Sequence, residues 1–277
     1  MIDRKKKNIK IFRDTVRRYH SQKQLKKAVQ ESLKQQKFIA ARTDVRIPQP
    51  TAQKKAVVIV SEKRSLEAAT VYAEQGKKVC VLNFASAVNP GGGVMNGASA
   101  QEECICRCTT LYPCLNSTWM WNMFYLPHRY QSDSLHNNDC IYTPNVCIFK
   151  SDIDFPKPLW KKHWQYVNIL TCAAPRLIPT DENSMGDLTA SELEALLTAR
   201  IQRIFEIAVR EGNEVLILGA FGCGAFKNPP EIVAKVFYHV MQDYLCYFDV
   251  IEYAVYHTEH ERANYEAFSK TFLKQSS

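Results

Sequence analysis

The chain has 277 residues, 46% of them hydrophobic, and a formal charge of +8 from 36 Lys+Arg against 28 Asp+Glu. That length suits one large domain, or a domain with an appendage, and no apolar run approaches the roughly 20 residues a membrane span needs. The opening MIDRKKKNIK lacks the apolar stretch of a secretory signal, so the ten cysteines are expected to be reduced, in a cytoplasmic protein, rather than to form a disulfide framework.

The charge is uneven. Residues 1–37 hold 13 Lys/Arg against three Asp/Glu, a net of +10, and the remainder nets −2. Residues 1–52 therefore read as a basic helical extension and 53–277 as the main folded domain. Clustered lysines could make a weak, sequence-blind contact with a polyanion; the plainer reading, which we favour, is a solvated helix face on a segment packed against the body.

From Lys10 to about Ala41 the apolar residues fall at helical spacing with no Gly or Pro, which predicts one or two helices. RIPQPTAQ (46–53) is a connector. AVVIVSE (56–62) then predicts a buried strand, SLEAATVYAEQGKK (65–78) an amphipathic helix stopped by Gly76, and VCVLNFA (79–85) a second strand. Residues 111–140 read as irregular and aromatic-rich, able to line or cover a cleft. Strands are expected at 145–150, 166–174, 214–222 and 250–256, and helices at 190–212 and 230–245. Alternating elements on short connections predict a three-layer α/β/α sandwich around a mixed sheet.

Two glycine loops leave the ends of strands, where open α/β sheets bind ligands. Gly91, Gly92 and Gly93 give the chain freedom at positive φ and close backbone approach, as an anion nest requires. GAFGCGAF (219–226) precedes a helix start near Pro229, so its amides can also converge on an anion. Two such loops fit a diphosphate better than one phosphate, although neither GxxxxGK[ST] nor GxGxxG is matched.

Glu102 and Glu103 follow the first loop. Neighbours on a helix point about 100° apart, so the two cannot do the same job. One can hold substrate while the other does proton work at a glycosidic bond, protonating the leaving oxygen and then activating water. A glutamate beside bound phosphates would have its pKa raised by like charge and desolvation.

GGGVMNGASAQEE resembles the GGG-x(6–8)-QEE signature of poly(ADP-ribose) glycohydrolases, and the order of LNFASAVNPGGG, QEECICRCTTLY, IYTPNVCIFK, ILTCAAP and LILGAFGCGAFKNPP is similar to the microbial-type branch over most of residues 56–268. The resemblance implies a macrodomain fold, an ADP-ribose site and hydrolysis of ribose-ribose O-glycosidic bonds. It makes Glu103 the catalytic acid and base, and Glu102 the holder of the ribose hydroxyls. Asn89, Gly91, Gly92, Gly93 and Val94 would contact that ribose and the diphosphate, with Gln101 among the ligand-binding residues. Gly222, Cys223, Gly224 and Ala225 would form the second diphosphate loop, Phe226 would pack near the ribose, and Tyr256 would rest against adenine. The branch has aspartate where this chain has Asn145 and Pro229.

The partners implied are poly(ADP-ribose) or ADP-ribosylated macromolecules, with ADP-ribose as product, acted on by a monomer with no membrane, cofactor or metal. A reader that binds ADP-ribose without cleaving it is one rival, and a hydrolase of single ADP-ribosyl links another. Cys104, Cys106, Cys108 and Cys114, with His128, could be read as a zinc site, but their spacing suits small core residues better. Cys223 has no histidine partner that sequence can place.

Overall fold

The computed structural model describes residues 3–50, 54–178 and 187–273. Helices α1 (Arg4–Ser21) and α2 (Lys23–Gln35) lead into β1 (Lys37–Ile39). Then come β2 (Val57–Ser61), α3 (Ser65–Ala73), β3 (Val79–Phe84) and α4 (Gln101–Cys108). Short helices α5 (Leu111–Leu115), α6 (Thr118–Met120) and α7 (Leu126–Gln131) precede β4 (Cys140–Ile148) and β5 (Gln165–Cys172). The chain continues through α8 (Ala190–Arg210), β6 (Val215–Leu218), α9 (Pro230–Met241), β7 (Val250–Ala254) and α10 (Ala263–Leu273).

The strands form one seven-stranded sheet in the order β1-β4-β5-β3-β6-β7-β2. β5, β3, β6, β7 and β2 run parallel, and β4 and β1 are antiparallel additions at one side. Side chains on a strand alternate between faces, and both faces are covered. Cys80, Leu82, Leu216 and Leu218 join the core under α8, α9 and α10, while Val79, Val81, Val215 and Ile217 join the core on the side of α3 and α4. This is the three-layer α/β/α arrangement that the alternation of elements predicts. No helix among the described residues is long and apolar enough to cross a membrane.

Four expectations change, the first being that residues 37–39, expected within a helix, form strand β1. Residues 111–131 are mostly short helices joined through a π-turn at Trp121–Tyr125. Leu111, Cys114, Leu115, Met120 and Phe124 are buried at helical spacing, but Pro113 and the Asn116-Ser117 pair cut the period into pieces too short to read. The strand expected at 145–150 begins at Cys140. Its register shifts between Thr143 and Val146, where Pro144 offers no ladder amide and Asn145 takes φ 55°. Asparagine tolerates that left-handed backbone, and its backbone N–H donates to Asn168 Oδ1 at 3.1 Å. Helix α10 also lies beyond the elements expected from the sequence.

The basic N-terminal segment is built into the sheet and the back of the site. β1 pairs with β4. On α1, Asn8 Nδ2 donates to Gly97 O at 3.0 Å, and Thr15 Oγ1 donates to Arg107 O of α4. The buried Lys150 ammonium donates to Ile11 O at 2.9 Å and pairs with Asp14 at 2.9 Å. Burial pushes Lys150 below its ordinary pKa, an effect opposed by Asp14.

Candidate active site

The carboxyl ends of β3, β6 and β7 open onto a cleft of about 360 Å³ lined by both glycine-rich loops and the start of α4. The first loop leaves β3 and turns back on itself. Gly91 and Gly92 take φ +67° and +58°, a backbone that favours glycine. The amide of Gly92 donates to Asn89 O at 2.9 Å and that of Val94 to Gly91 O at 3.1 Å.

The loop's remaining amides hold the protein's own carboxylates. Gly93 N–H donates to Glu103 Oε1 at 2.8 Å. A Cβ on Gly92 would lie 2.4 Å from that oxygen, so the loop and the glutamate can approach this closely only with glycine. The amides of Gly92, Gly93 and Val94 are thus already used within the protein, and the nest anticipated for a diphosphate serves first to fix the glutamate pair.

Glu102 and Glu103 occupy the first turn of α4, where the helix dipole favours negative charge. Both are buried yet line the cleft. Glu102 Oε2 accepts from Ser86 N–H at 2.8 Å and Oε1 from Asn83 Nδ2 at 3.2 Å. Burial pushes its carboxyl up to about 8; the Ser86, Asn83 and Gly91 donors pull the other way and neighbouring Glu103 adds to the rise. Glu103 differs in that Oε2 is buried with no hydrogen-bond partner. One oxygen of Glu103 is thus anchored and the other is not.

The second loop follows β6. Gly222 takes φ +77°, and a Cβ there would sit 2.5 Å from both Ala174 Cβ and Asn228 Nδ2. Asn228 pins the loop from beneath by donating from Nδ2 to Pro175 O at 2.7 Å and to Gly222 O at 3.1 Å. Pro229 caps α9 and Pro230 opens it, a position where a missing amide costs nothing. Gly224, by contrast, has nothing within 4 Å of where a Cβ would stand.

Of the residues expected at the site, Gly92, Gln101, Glu102, Glu103, Gly222, Gly224, Ala225, Phe226 and Tyr256 line the cleft. Gln101 spends its amide on the protein, accepting from Phe84 N and donating to Leu82 O and Ser65 Oγ. Asn89 lies outside the lining, its Oδ1 accepting from Arg129 at 2.7 Å; the same guanidinium donates to Val88 O at 2.7 Å and lies over Trp121. Gly91, Gly93, Val94 and Cys223 support the loops without lining the cleft. Burial raises the Cys223 thiol pKa, which disfavours a nucleophilic thiolate.

Sequence reasoning missed Arg64, Ser86, Asp152 and Asn264, all in the cleft lining. Arg64 lies 3.8 Å over the Tyr256 ring and pairs with Asp154. Asp152 accepts from Leu66 N–H at 3.1 Å while its other oxygen is buried and unpartnered, and burial raises its pKa. These residues come from four separate segments of the chain, and only the fold brings them together. Cys106, Cys108 and Cys114 are buried core residues, and no group of three His, Cys, Asp or Glu among the described residues could hold a metal ion.

The family described as microbial-type PARG, catalytic domain, matches residues 8–151. Poly(ADP-ribose) glycohydrolase from Thermomonospora curvata superposes with a TM-score of 0.85 at 27% identity, covering 96% of this chain and 99% of that one. The same enzyme bound to the inhibitor ADP-HPD gives 0.80 at 28% identity over 95% and 98%. The Deinococcus radiodurans enzyme in complex with ADP-ribose gives 0.78 at 26% identity over 90% and 98%. No curated relative matches the chain in sequence.

Proposed function

The chain belongs to the microbial-type poly(ADP-ribose) glycohydrolase family, and from that premise we propose that Glu103 is the acid and base with which it cuts the ribose-ribose bond of the polymer. The observation that carries this reading is the asymmetry of the Glu103 carboxylate, anchored through Oε1 on Gly93 N–H and free at the buried Oε2.

In this mechanism ADP-ribose lies across the cleft with its diphosphate on the second loop, where the open space at Gly224 receives it. Adenine rests against Tyr256, whose other partner is Arg64. The ribose hydroxyls are held by Glu102, which Asn83 and Ser86 orient. Glu103 gives its proton to the leaving ribose oxygen as the glycosidic bond breaks and an oxocarbenium-like centre develops. The resulting carboxylate takes a proton from water as that water's oxygen bonds to the anomeric carbon, which restores the acid and frees ADP-ribose.

The presence of a positioned glutamate pair separates this reading from that of a reader module. The test is to incubate the protein and Glu103→Gln with poly(ADP-ribosyl)ated substrate and follow free ADP-ribose by mass spectrometry. Release by the wild type alone is expected. Equal release by both would remove Glu103 from the mechanism, and binding without release by either would make the chain a reader or a hydrolase of another ADP-ribosyl linkage.

A further inference from the structure

At the opposite end of the sheet from the cleft, α2 and the segment before β5 enclose a second depression of about 300 Å³. Trp164 and Tyr166 line it, with Lys27 and Glu31 on one wall and Lys161 on the other. Lys27 and Glu31 are 3.6 Å apart and both exposed, a pair that holds little energy in water. Tyr166 is 48% exposed and neighbouring Trp160 is 80% exposed, next to the exposed Lys161 and Lys162. This surface continues the basic face of α2, which carries Lys23, Lys26 and Lys34.

Exposed aromatic rings among lysines suit an anionic chain that also carries bases, because rings stack on the bases while ammonium groups neutralise phosphates. We propose that this surface binds the distal part of the poly(ADP-ribose) chain whose end is in the cleft, an inference that rests on the function proposed above. The cleft itself argues for this occupant, since a polymer already held there presents its remaining units at high effective concentration. Trp164 immediately precedes β5, which runs parallel to β3. At about 3.3 Å per residue its eight residues set the two sites roughly 26 Å apart along the strand direction. The surface therefore selects for chain length: a long polymer reaches both sites, and a very short one occupies the cleft alone.

The test compares the full chain with Lys27→Glu/Lys161→Glu, and separately with Trp160→Ala, on size-fractionated long poly(ADP-ribose) and on chains of two or three units. For the double variant, KM on long polymer should rise roughly fivefold or more with kcat unchanged, and the salt dependence of log KM should flatten by about 1.4 for two lost phosphate contacts. Trp160→Ala should raise the same KM less steeply and leave its salt slope in place. Short-chain kinetics should match the wild type in every case. Unchanged long-polymer KM in both variants, or equal losses on long and short chains, would overturn the proposal. So would a single-stranded DNA oligonucleotide that competes for the surface as well as the polymer does, since the surface would then be a general nucleic-acid site. Failure of the wild type to cleave either substrate would instead overturn the function proposed above.

Discussion

Glu103 reaches back over the loop that precedes it and accepts the Gly93 amide at 2.8 Å, while the missing Cβ of Gly92 leaves the room this approach requires. The tri-glycine run and the glutamate pair are one device. The loop positions the Glu103 carboxylate before any substrate arrives, which under the proposed mechanism spares the reaction the cost of organising it.

Replacing Glu103 with Gln should keep that anchoring contact, because the amide oxygen can still accept from Gly93. Affinity for ADP-ribose by calorimetry is expected to stay within a few fold, while turnover falls by about 10²- to 10⁴-fold, the usual worth of a positioned acid and base. A comparable fall in affinity would show that Glu103 serves binding instead.

Two glycines of the second loop should respond oppositely. Gly224→Val has empty space around it, so the thermal midpoint is expected to hold while ADP-ribose binding is abolished. Gly222→Ala meets Ala174 and Asn228 at 2.5 Å and must adopt φ +77°, so it should lose about 1–3 kcal/mol of stability. Denaturant melts alongside calorimetry separate the two; a destabilised Gly224→Val would place a packing role where a ligand role is expected.

Glu102 gives stability a pH signature. Its folded pKa of about 8 lies above the ordinary 4.5, so between those values the folded protein keeps a proton that the unfolded chain has released. That contribution to stability therefore declines as pH rises from about 4.5 to 8 and levels off above. Glu102→Gln should flatten this part of the profile and raise stability most at pH 8 and above. An unaltered slope in urea melts across that window would assign the decline to other groups.

Arg129 acts on the first loop from outside the cleft through Val88 O and Asn89 Oδ1. Arg129→Ala should weaken ADP-ribose binding roughly fivefold, about 1 kcal/mol for lost contacts of this kind. Arg129→Lys should not restore it, since an ammonium cannot reproduce the planar two-point contact. Full affinity in the alanine variant would mean that Asn89 holds its position unaided.

What could be read from the sequence follows from how local its causes are. VCVLNFA announces a strand because β-branched and apolar residues dominate it despite Asn83, and both glycine loops stand out because Gly91, Gly92 and Gly222 take positive φ, a backbone that favours glycine. The support of Glu102 by Asn83 and Ser86 is not legible, because it joins residues 19 and 16 positions away across a turn whose path no local pattern fixes. Arg129 is hidden for a similar reason. It reaches the first loop only after the π-turn at Trp121–Tyr125 has rotated α7, and a π-turn has no sequence period of its own. The β4 register was obscured by Pro144 and Asn145, which break the alternation where the ladder slips.

The bonds that fasten α1 to the turn behind the first loop, to α4 and to Lys150 also have a kinetic meaning. Asn8 to Gly97 and Thr15 to Arg107 close loops of 89 and 92 residues, and Lys150 to Ile11 closes one of 139. Closures this long are entropically unfavourable and slow. During synthesis, the first helix must wait for residues made much later before it can dock. The active enzyme is therefore expected to lag behind the formation of its secondary structure, with activity returning after helical signal when the denatured chain is refolded.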